Sequence, residues 1–486
     1  MDSSLPPTIL DLPVGIDASG IRRETDSLGV VEVPADRYWG AQTQRTLQHF
    51  PIGVAGGGDR MPPEIHRAFG YLKKAAAIVN TQSGRLPAWM GELIARVCDE
   101  LLEGQLDDHL PLYVWQAGSG TQTNMNVNEV IANRAVRLTG GELGSRTPVH
   151  PNDHVNMCQS SNDTFPTAMH IAAYRLTTGG TIPSLRRLRD AVAEKADRWA
   201  DVVKIGRTHL QDATPLTVGQ EWSGLAAALG DSIDALEHAA RGLLRLAMGG
   251  TAVGTGINAP PGFDREVAAV LTELTGDPFE AAPNKFAAQA TIDDMVRAHA
   301  ALKGVAVTLY KIANDIRWLG SGPRSGLREL ELPANEPGSS IMPGKVNPTQ
   351  CEAMLMVCMR VIGADTSISL AGAESNLQLN TCRPMVIGEY LHSARILADA
   401  AASFREHLVE GLELNEATLR RNVEDSVMLV TALSPLIGYD EAAKIARFAM
   451  KNDCSLRQAA LEHGVDEVMF DNVVDPLAMT RPGLPD

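Results

Sequence analysis

Residues 222–248, WSGLAAALGDSIDALEHAARGLLRLAM, carry the pattern that decides the fold class. Leu225, Leu229, Ile233, Leu236, Ala240, Leu243 and Ala247 return at steps of three and four, which places them on one face of a helix. Residues 184–203 repeat the pattern with Leu185, Leu188, Val192, Ala196, Trp199 and Val203. So do Ile65, Phe69, Leu72, Ala76 and Val79, and then Ile94, Val97 and Leu101. Ala-rich stripes of this length let helices approach closely, so the expectation is a mainly α protein built around a bundle of long helices. The clearest strand signal is Gly29–Val33, with Val30, Val31 and Val33, outside the helical middle.

Along the chain the pattern divides into three: 1–159 with short helices and Gly- and Asn-rich loops, 160–416 with long helices, and 417–486 with shorter ones. Ser434-Pro435 reads as a breaker and Ser455-Leu-Arg-Gln458 as a capping box. At 486 residues the chain exceeds what one core organises. Its 43 Lys and Arg against 59 Asp and Glu give a net charge of −16, which argues against nucleic acid as a partner. An anionic substrate therefore has to be met by a local positive pocket. The six cysteines show no CxxC spacing, and residues 1–20 carry no basic, apolar or Arg-rich leader pattern. No apolar run reads as a membrane span, so the expected compartment is the cytoplasm.

Four polar clusters interrupt the helical background. In Trp115–Glu129, Gly118 and Gly120 free the backbone while Ser119 and Thr121 offer hydroxyls just before a helix start expected near Thr123, the makings of an anion site or of a plain N-cap. Asn124, Asn126 and Asn128 crowd its first turns, where Asn is a poor helix former. His150-Pro-Asn-Asp-His154 precedes Ser160-Ser-Asn-Asp163. Its i,i+4 histidines raise a zinc site, but no third ligand is evident, and a carboxylate-binding or capping patch fits better. Gly206–Pro215 holds His209 beside Thr208, Gln211 and Asp212, in a loop that Pro215 closes, where an acid/base role is open. In Asn335–Pro348, two Pro/Gly hinges surround Ser339, Ser340 and Lys345. Asn347 and Pro348 then read as N-cap and first residue of a helix that carries Glu352. Gly250–Gly256 (GTAVGTG) lacks dinucleotide-site spacing and follows a helix, so that reading is rejected.

Taken together, GSSIMPGKVNP, WQAGSGTQTNMNVNE, HPNDHVN with SSND, and GRTHLQDATP resemble the class II fumarate hydratases of the fumarase/aspartase superfamily, from about Thr25 to Gly464. Leu377–Arg383 departs from the pattern, and aspartases usually carry Ala where Gly344 stands. The resemblance implies a three-domain fold and a homotetramer whose sites are each shared by three subunits. It also implies reversible hydration of fumarate to (S)-malate through an aci-carboxylate, with no metal or organic cofactor. By position it makes Ser339 the base and His209, paired with Glu352, the partner for the hydroxyl. Ser119, Gly120, Thr121, Ser160, Ser161, Asn162, Thr208, Ser340, Lys345, Val346 and Asn347 surround the substrate. His150, Pro151, Asn152 and Asp153 match a second dicarboxylate site. The rivals are an aspartate ammonia-lyase, a catalytically silent scaffold protein, and a zinc hydrolase built on His150, Asp153 and His154.

Overall fold

The computed structural model describes residues 6–54 and 58–483. Helices take 60% of the residues and strands 8%, as a long-helix bundle requires. The chain forms two compact units, each assembled from three separated stretches. Unit 1 comprises 1–182, 235–303 and 360–396, and unit 2 comprises 183–234, 304–359 and 397–486.

In unit 1 an antiparallel hairpin, β1 (Ile21–Asp26) and β2 (Gly29–Pro34), precedes α1 (Ala41–His49), α2 (Pro63–Gln82) and α3 (Ala88–Leu102). Pro63 opens α2, where its missing N–H costs nothing, and Glu64 faces the positive end of the helix. The buried stripe Ile65, Phe69, Leu72, Ala76 and Val79 packs α2 on α3 through Ile94, Val97 and Leu101. Next come α4 (Thr121–Leu138) and α5 (Ser161–Leu176), both packed on α2. Then α6 (Ile182–Arg198) ends five residues before the expected 203. The apolar rhythm continues because Val203 belongs to a strand, β3 (Val203–Thr208), antiparallel to β4 (Gln211–Thr217).

The helix α7 (Val218–Ala240) likewise stops short of 248. A 3₁₀ turn at Arg241–Leu244 and a two-residue strand at Arg245–Leu246 keep Leu243 and Leu246 buried without α geometry. Helices α8 (Phe263–Thr275), α9 (Lys285–Ala290), α10 (Asp293–Leu319), α11 (Thr349–Ala373) and α12 (Arg383–Phe404) follow. In unit 1, His299 of α10 is fully buried between Asp365 of α11 (3.0 Å from Nδ1) and Ser393 of α12 (3.0 Å from Nε2), which pins the register of three helices. Among the described residues, α11 is the one helix long and apolar enough to cross a membrane by length and composition, at a mean hydropathy of 1.5. Its Met, Cys and Ala content raises the average, while Glu352, Arg360 and Asp365 interrupt it, so it is not a continuous apolar run.

Unit 2 closes with α13 (Glu416–Glu424), α14 (Ser434–Ile437), α15 (Tyr439–Asn452), α16 (Leu456–Glu462) and α17 (Glu467–Val473). Ile205 of β3 joins Leu429, Leu433, Ile445, Leu456 and Phe470 in one core, so the β3–β4 hairpin is rooted in these short helices. Ser455 caps α16 by accepting from Gln458 N, while the Gln458 side chain turns to Glu462, which completes half of the expected capping box.

Candidate active site

The predicted site residues fall into two groups, one in each unit. In unit 1 the turn at Gly118–Gly120 is shaped by contact. A Cβ on Gly118 would lie 1.4 Å from the Thr381 carbonyl oxygen, and Gly120, at φ +78°, would put one 2.1 Å from the Phe165 ring. Only glycine fits either place. The helix α4 therefore starts at Thr121, two residues earlier than expected, and Gln116 Oε1 caps it by taking the N–H and hydroxyl of Thr123 at 3.0 and 2.9 Å. The hydroxyls of Ser119 and Thr121 are 2.8 Å apart, and Thr121 is 2.7 Å from Ser161 at the start of α5. Two helix N-termini are thus joined by a chain of three hydroxyls, where partial positive charge favours an anion.

Ser160 is the N-cap of α5. It accepts from Asn162 N at 3.2 Å, and its own N–H donates to Asp163 Oδ1 at 2.9 Å. Asp163 is completely buried, and Oδ2 takes the N–H groups of Gly249 (3.0 Å) and Thr251 (2.9 Å). Burial pushes its carboxyl up to about 6 despite those amides. Asn162 Nδ2 donates to Ala252 O at 2.8 Å, so the Gly250–Gly256 segment braces this helix start. Its role is structural support, and the sequence signal was its glycines. Arg383, buried to 0% exposure, braces the same place by donating to Asn162 O (2.9 Å) and Gln289 O (2.5 Å). It was missed because it stands in the segment that departs most from the family pattern.

The asparagines that sit poorly in a helix are spent on a buried network. Asn124 and Asn128 each donate to Asn156 Oδ1 at 3.1 Å, and Asn126 donates to the His109 carbonyl. His150 caps the π-type turn Pro151–Val155, its Nδ1 accepting from Asn152 N (3.2 Å) and Asp153 N (3.1 Å). His154 Nδ1 accepts from His150 N at 2.9 Å. Both imidazoles thus serve the backbone through Nδ1, and among the described residues no group of three His, Cys, Asp or Glu is arranged to hold a metal.

In unit 2, His209 is not in an open loop. It and Leu210 form the two-residue tip of the β3–β4 hairpin, with Thr208 opposite Gln211 and Pro215 inside β4 opposite Ile205. Both tip residues have positive φ, +58° and +61°, and both are exposed. Such a turn suits Asn-Gly, so two side-chain-bearing residues here store strain, as found at functional tips. The hairpin is anchored by buried charges. Lys204 pairs with Glu221 (2.7 Å) and Glu329 (2.9 Å), and Arg207 pairs with Glu329 (2.6 Å). Burial pushes the Glu329 carboxyl up, but Lys204 and Arg207 outweigh it and hold it below the usual range.

Asn335–Pro348 is an irregular loop, as expected. Its neck is pinched where a Cβ on Gly338 would meet the Lys345 carbonyl oxygen at 1.7 Å, and Asn347 Nδ2 donates across it to Gly338 O at 2.5 Å. That corrects the expectation of an N-cap at Asn347: the side chain closes the loop, and α11 begins at Thr349. Ser339 Oγ accepts from the N–H groups of Ile341 (3.3 Å) and Met342 (3.1 Å). Ser340, Lys345 and Val346 lie exposed along the loop, and Glu352 is exposed in the first turn of α11. Among the described residues no hydrogen bond or ion pair joins His209 to Glu352 within the chain.

Residues 29–363 match the lyase family and 429–481 the fumarase C C-terminal family. A class II fumarate hydratase of Methanosarcina acetivorans is 60% identical over 474 residues, which is 97% of each chain. The chain belongs to the class II fumarate hydratase family. A Pasteurella multocida class II fumarate hydratase is 56% identical over 94% of this chain and 98% of its own. The crystal structure of a class II fumarase from Schistosoma mansoni superposes with a TM-score of 0.93 at 42% identity, covering 95% of this chain and 99% of that one. In this fumarate hydratase family chain, unit 1 supplies hydroxyls and helix N-termini suited to carboxylates. Unit 2 carries an imidazole, an amide-backed serine and an ammonium, group types able to move protons and offset charge.

Proposed function

We propose that the chain catalyses the reversible hydration of fumarate to (S)-malate. The identity to class II fumarate hydratases over 97% of the chain carries this reading. The same family membership disfavours the aspartate ammonia-lyase alternative.

Removing the proton beside the malate carboxylate is hard, because the product is a dianionic aci-carboxylate. In this proposal Lys345 and Asn347 face that charge, while Ser119, Thr121, Asn162 and Thr208 hold the carboxylates. Ser339 is the base. Two backbone N–H groups already point at its Oγ, which lowers the cost of an alkoxide. Ser340 assists, and His209, paired with Glu352, protonates the departing hydroxyl from the opposite face.

The working form in this proposal is a homotetramer with each site shared by three subunits. Two observations support it. Met356, Met359 and Leu370 of α11 and Val307 and Trp318 of α10 are each about half or more exposed in the single chain, an apolar surface that assembly would cover. Among the described residues no hydrogen bond or ion pair joins His209 to Glu352, the proposed pair, within the chain, which is compatible with a partner from a neighbouring copy. Light scattering is expected to give roughly four times 52.1 kDa.

His150, Pro151, Asn152 and Asp153 form the proposed second dicarboxylate site. The N–H groups of 152 and 153 are taken by His150, so side chains would do the holding. A cytoplasmic setting is proposed on the six free cysteines, of which burial pushes Cys98, Cys351 and Cys358 up to about 12. The decisive experiment is to supply malate and aspartate separately and follow fumarate absorbance. Fumarate from malate alone supports the hydratase, and fumarate from aspartate alone overturns it.

A further inference from the structure

Lys73 lies midway along α2 among alanines and is completely buried. Its ammonium donates to Asn124 Oδ1 (2.8 Å), Asn156 Oδ1 (3.0 Å) and Gln159 Oε1 (2.9 Å). All three N–H bonds are satisfied, yet every partner is a neutral amide. Arg383, also buried here, donates to carbonyl oxygens, with no carboxylate partner among the described residues. Asp163, the buried carboxylate whose charge both cations feel, spends its oxygens on three backbone N–H groups and is hydrogen-bonded to neither. Two buried positive charges thus stand around the start of α5 against one negative charge.

A knot that served packing alone would not need this charge, because a buried ammonium is costly without a counter-ion. Burial accordingly pushes Lys73 down to about 7. Two of its partners lead to the hydroxyl chain. Asn124 lies one turn after Thr121 in α4 and also accepts from Thr164 of α5. Gln159 immediately precedes Ser160 and Ser161. Lys73 also sits 5.9 Å from the Phe69 ring, which packs on Phe165, the ring against which Gly120 rests.

We propose that Lys73 is a positioning residue for the dicarboxylate: its buried ammonium ties together the starts of α4 and α5 and places a positive charge behind the Ser119–Thr121–Ser161 hydroxyls. The missing counter-ion is then the substrate dianion itself. This rests on the fumarate/malate reading and deepens it by assigning part of the affinity to a residue that never touches the ligand.

The test uses Lys73→Met, which removes the charge at similar length, and Gln159→Glu, which leaves the lysine in place and gives it a carboxylate partner. For both, KM for fumarate and malate, kcat, and calorimetric binding of succinate as a non-reacting dicarboxylate are measured beside the thermal midpoint. A charge acting through one layer of side chains in a partly screened interior changes affinity by about tenfold. The expected result is a rise of that order in KM and in the succinate dissociation constant, exceeding any change in kcat, with Gln159→Glu at least as stable as the parent. A purely structural lysine would lower stability and the active fraction but leave KM alone. A folded variant of either kind with KM and succinate affinity within twofold of the parent overturns the proposal. Loss of fold in both variants also overturns it, by assigning the ammonium to the fold. If the parent chain does not interconvert fumarate and malate, it is the reaction assignment that fails, and succinate calorimetry still tests Lys73.

Discussion

Replacing Glu329 by Gln keeps the shape of the side chain and removes one of two negative charges from the cluster under the His209 hairpin. Lys204 and Glu329 are each 2% exposed, so neither is hydrated in the folded chain. Lys204 retains Glu221 at 2.7 Å, but Arg207 loses its carboxylate and the cluster goes from neutral to +1. Removing one partner of a buried pair costs ~3–5 kcal/mol. Arg207 is 14% exposed and able to turn toward water, so the lower end applies, about 3 kcal/mol. Urea unfolding at fixed protein concentration and pH 7, read by circular dichroism, measures it, the fixed concentration holding any assembly term constant. The sign with pH follows from the depressed carboxyl. The stabilisation is fully present above the ordinary value of 4.5 and disappears as pH falls through the lower folded value. Parent and variant should therefore converge below pH 4.5. A gap under about 1 kcal/mol at pH 7, or one that persists unchanged in acid, would refute the reasoning.

Other outcomes follow from the same geometry. Ser339→Ala should lower kcat by ~10²–10⁴-fold while succinate binding stays near the parent value, with Ser340→Ala milder; retention of most turnover would remove Ser339 as base. Leu210→Gly should raise stability by about 1 kcal/mol in urea titration, because it relieves a positive-φ residue at the hairpin tip. Its kcat should fall as the His209 mount loosens; an unchanged midpoint would show that the tip is unstrained. Burial pushes His66 down to about 4, and its Nδ1 has no hydrogen-bond partner. The unfolded chain takes up that proton near 6.5, so the associated stability is present above 6.5 and lost as pH falls toward 4, about 3 kcal/mol in all. His66→Leu should abolish that share of the acid loss; equal slopes for parent and variant between pH 7 and 4.5 would refute it.

What the sequence made legible was whatever a local rule governs. The α2 stripe, the Ser160 cap and the Pro/Gly-hinged loop at 335–348 are each written within a few residues. Periodicity overran the ends of α6 and α7 because Val203 is half-buried in a strand and Leu243 buried in a 3₁₀ turn, and apolar spacing does not distinguish those geometries from a helix. The His209 hairpin was read as a loop because Thr208-His-Leu-Gln211 lacks the Asn-Gly signature of a two-residue turn. Asn124, Asn126 and Asn128 were visible as an anomaly, but their partners, Asn156, Lys73 and the His109 carbonyl, come from distant segments. Lys73, beside Lys74 in a helix, looks like any solvated charge until the fold buries it. For the fold as a whole, family motifs supplied what spacing alone does not.

The hydroxyl chain at Ser119, Thr121 and Ser161 has a directional property. In each link either oxygen is able to donate, so the three protons point one way or the other along the chain. A rotation of the hydroxyls switches its outer end from a lone pair to an O–H without moving a heavy atom. A carboxylate selects the orientation that presents O–H, and a ligand hydroxyl is free to select the reverse. One set of side chains is thereby able to meet two chemically opposite groups, the change being one of polarity rather than of shape.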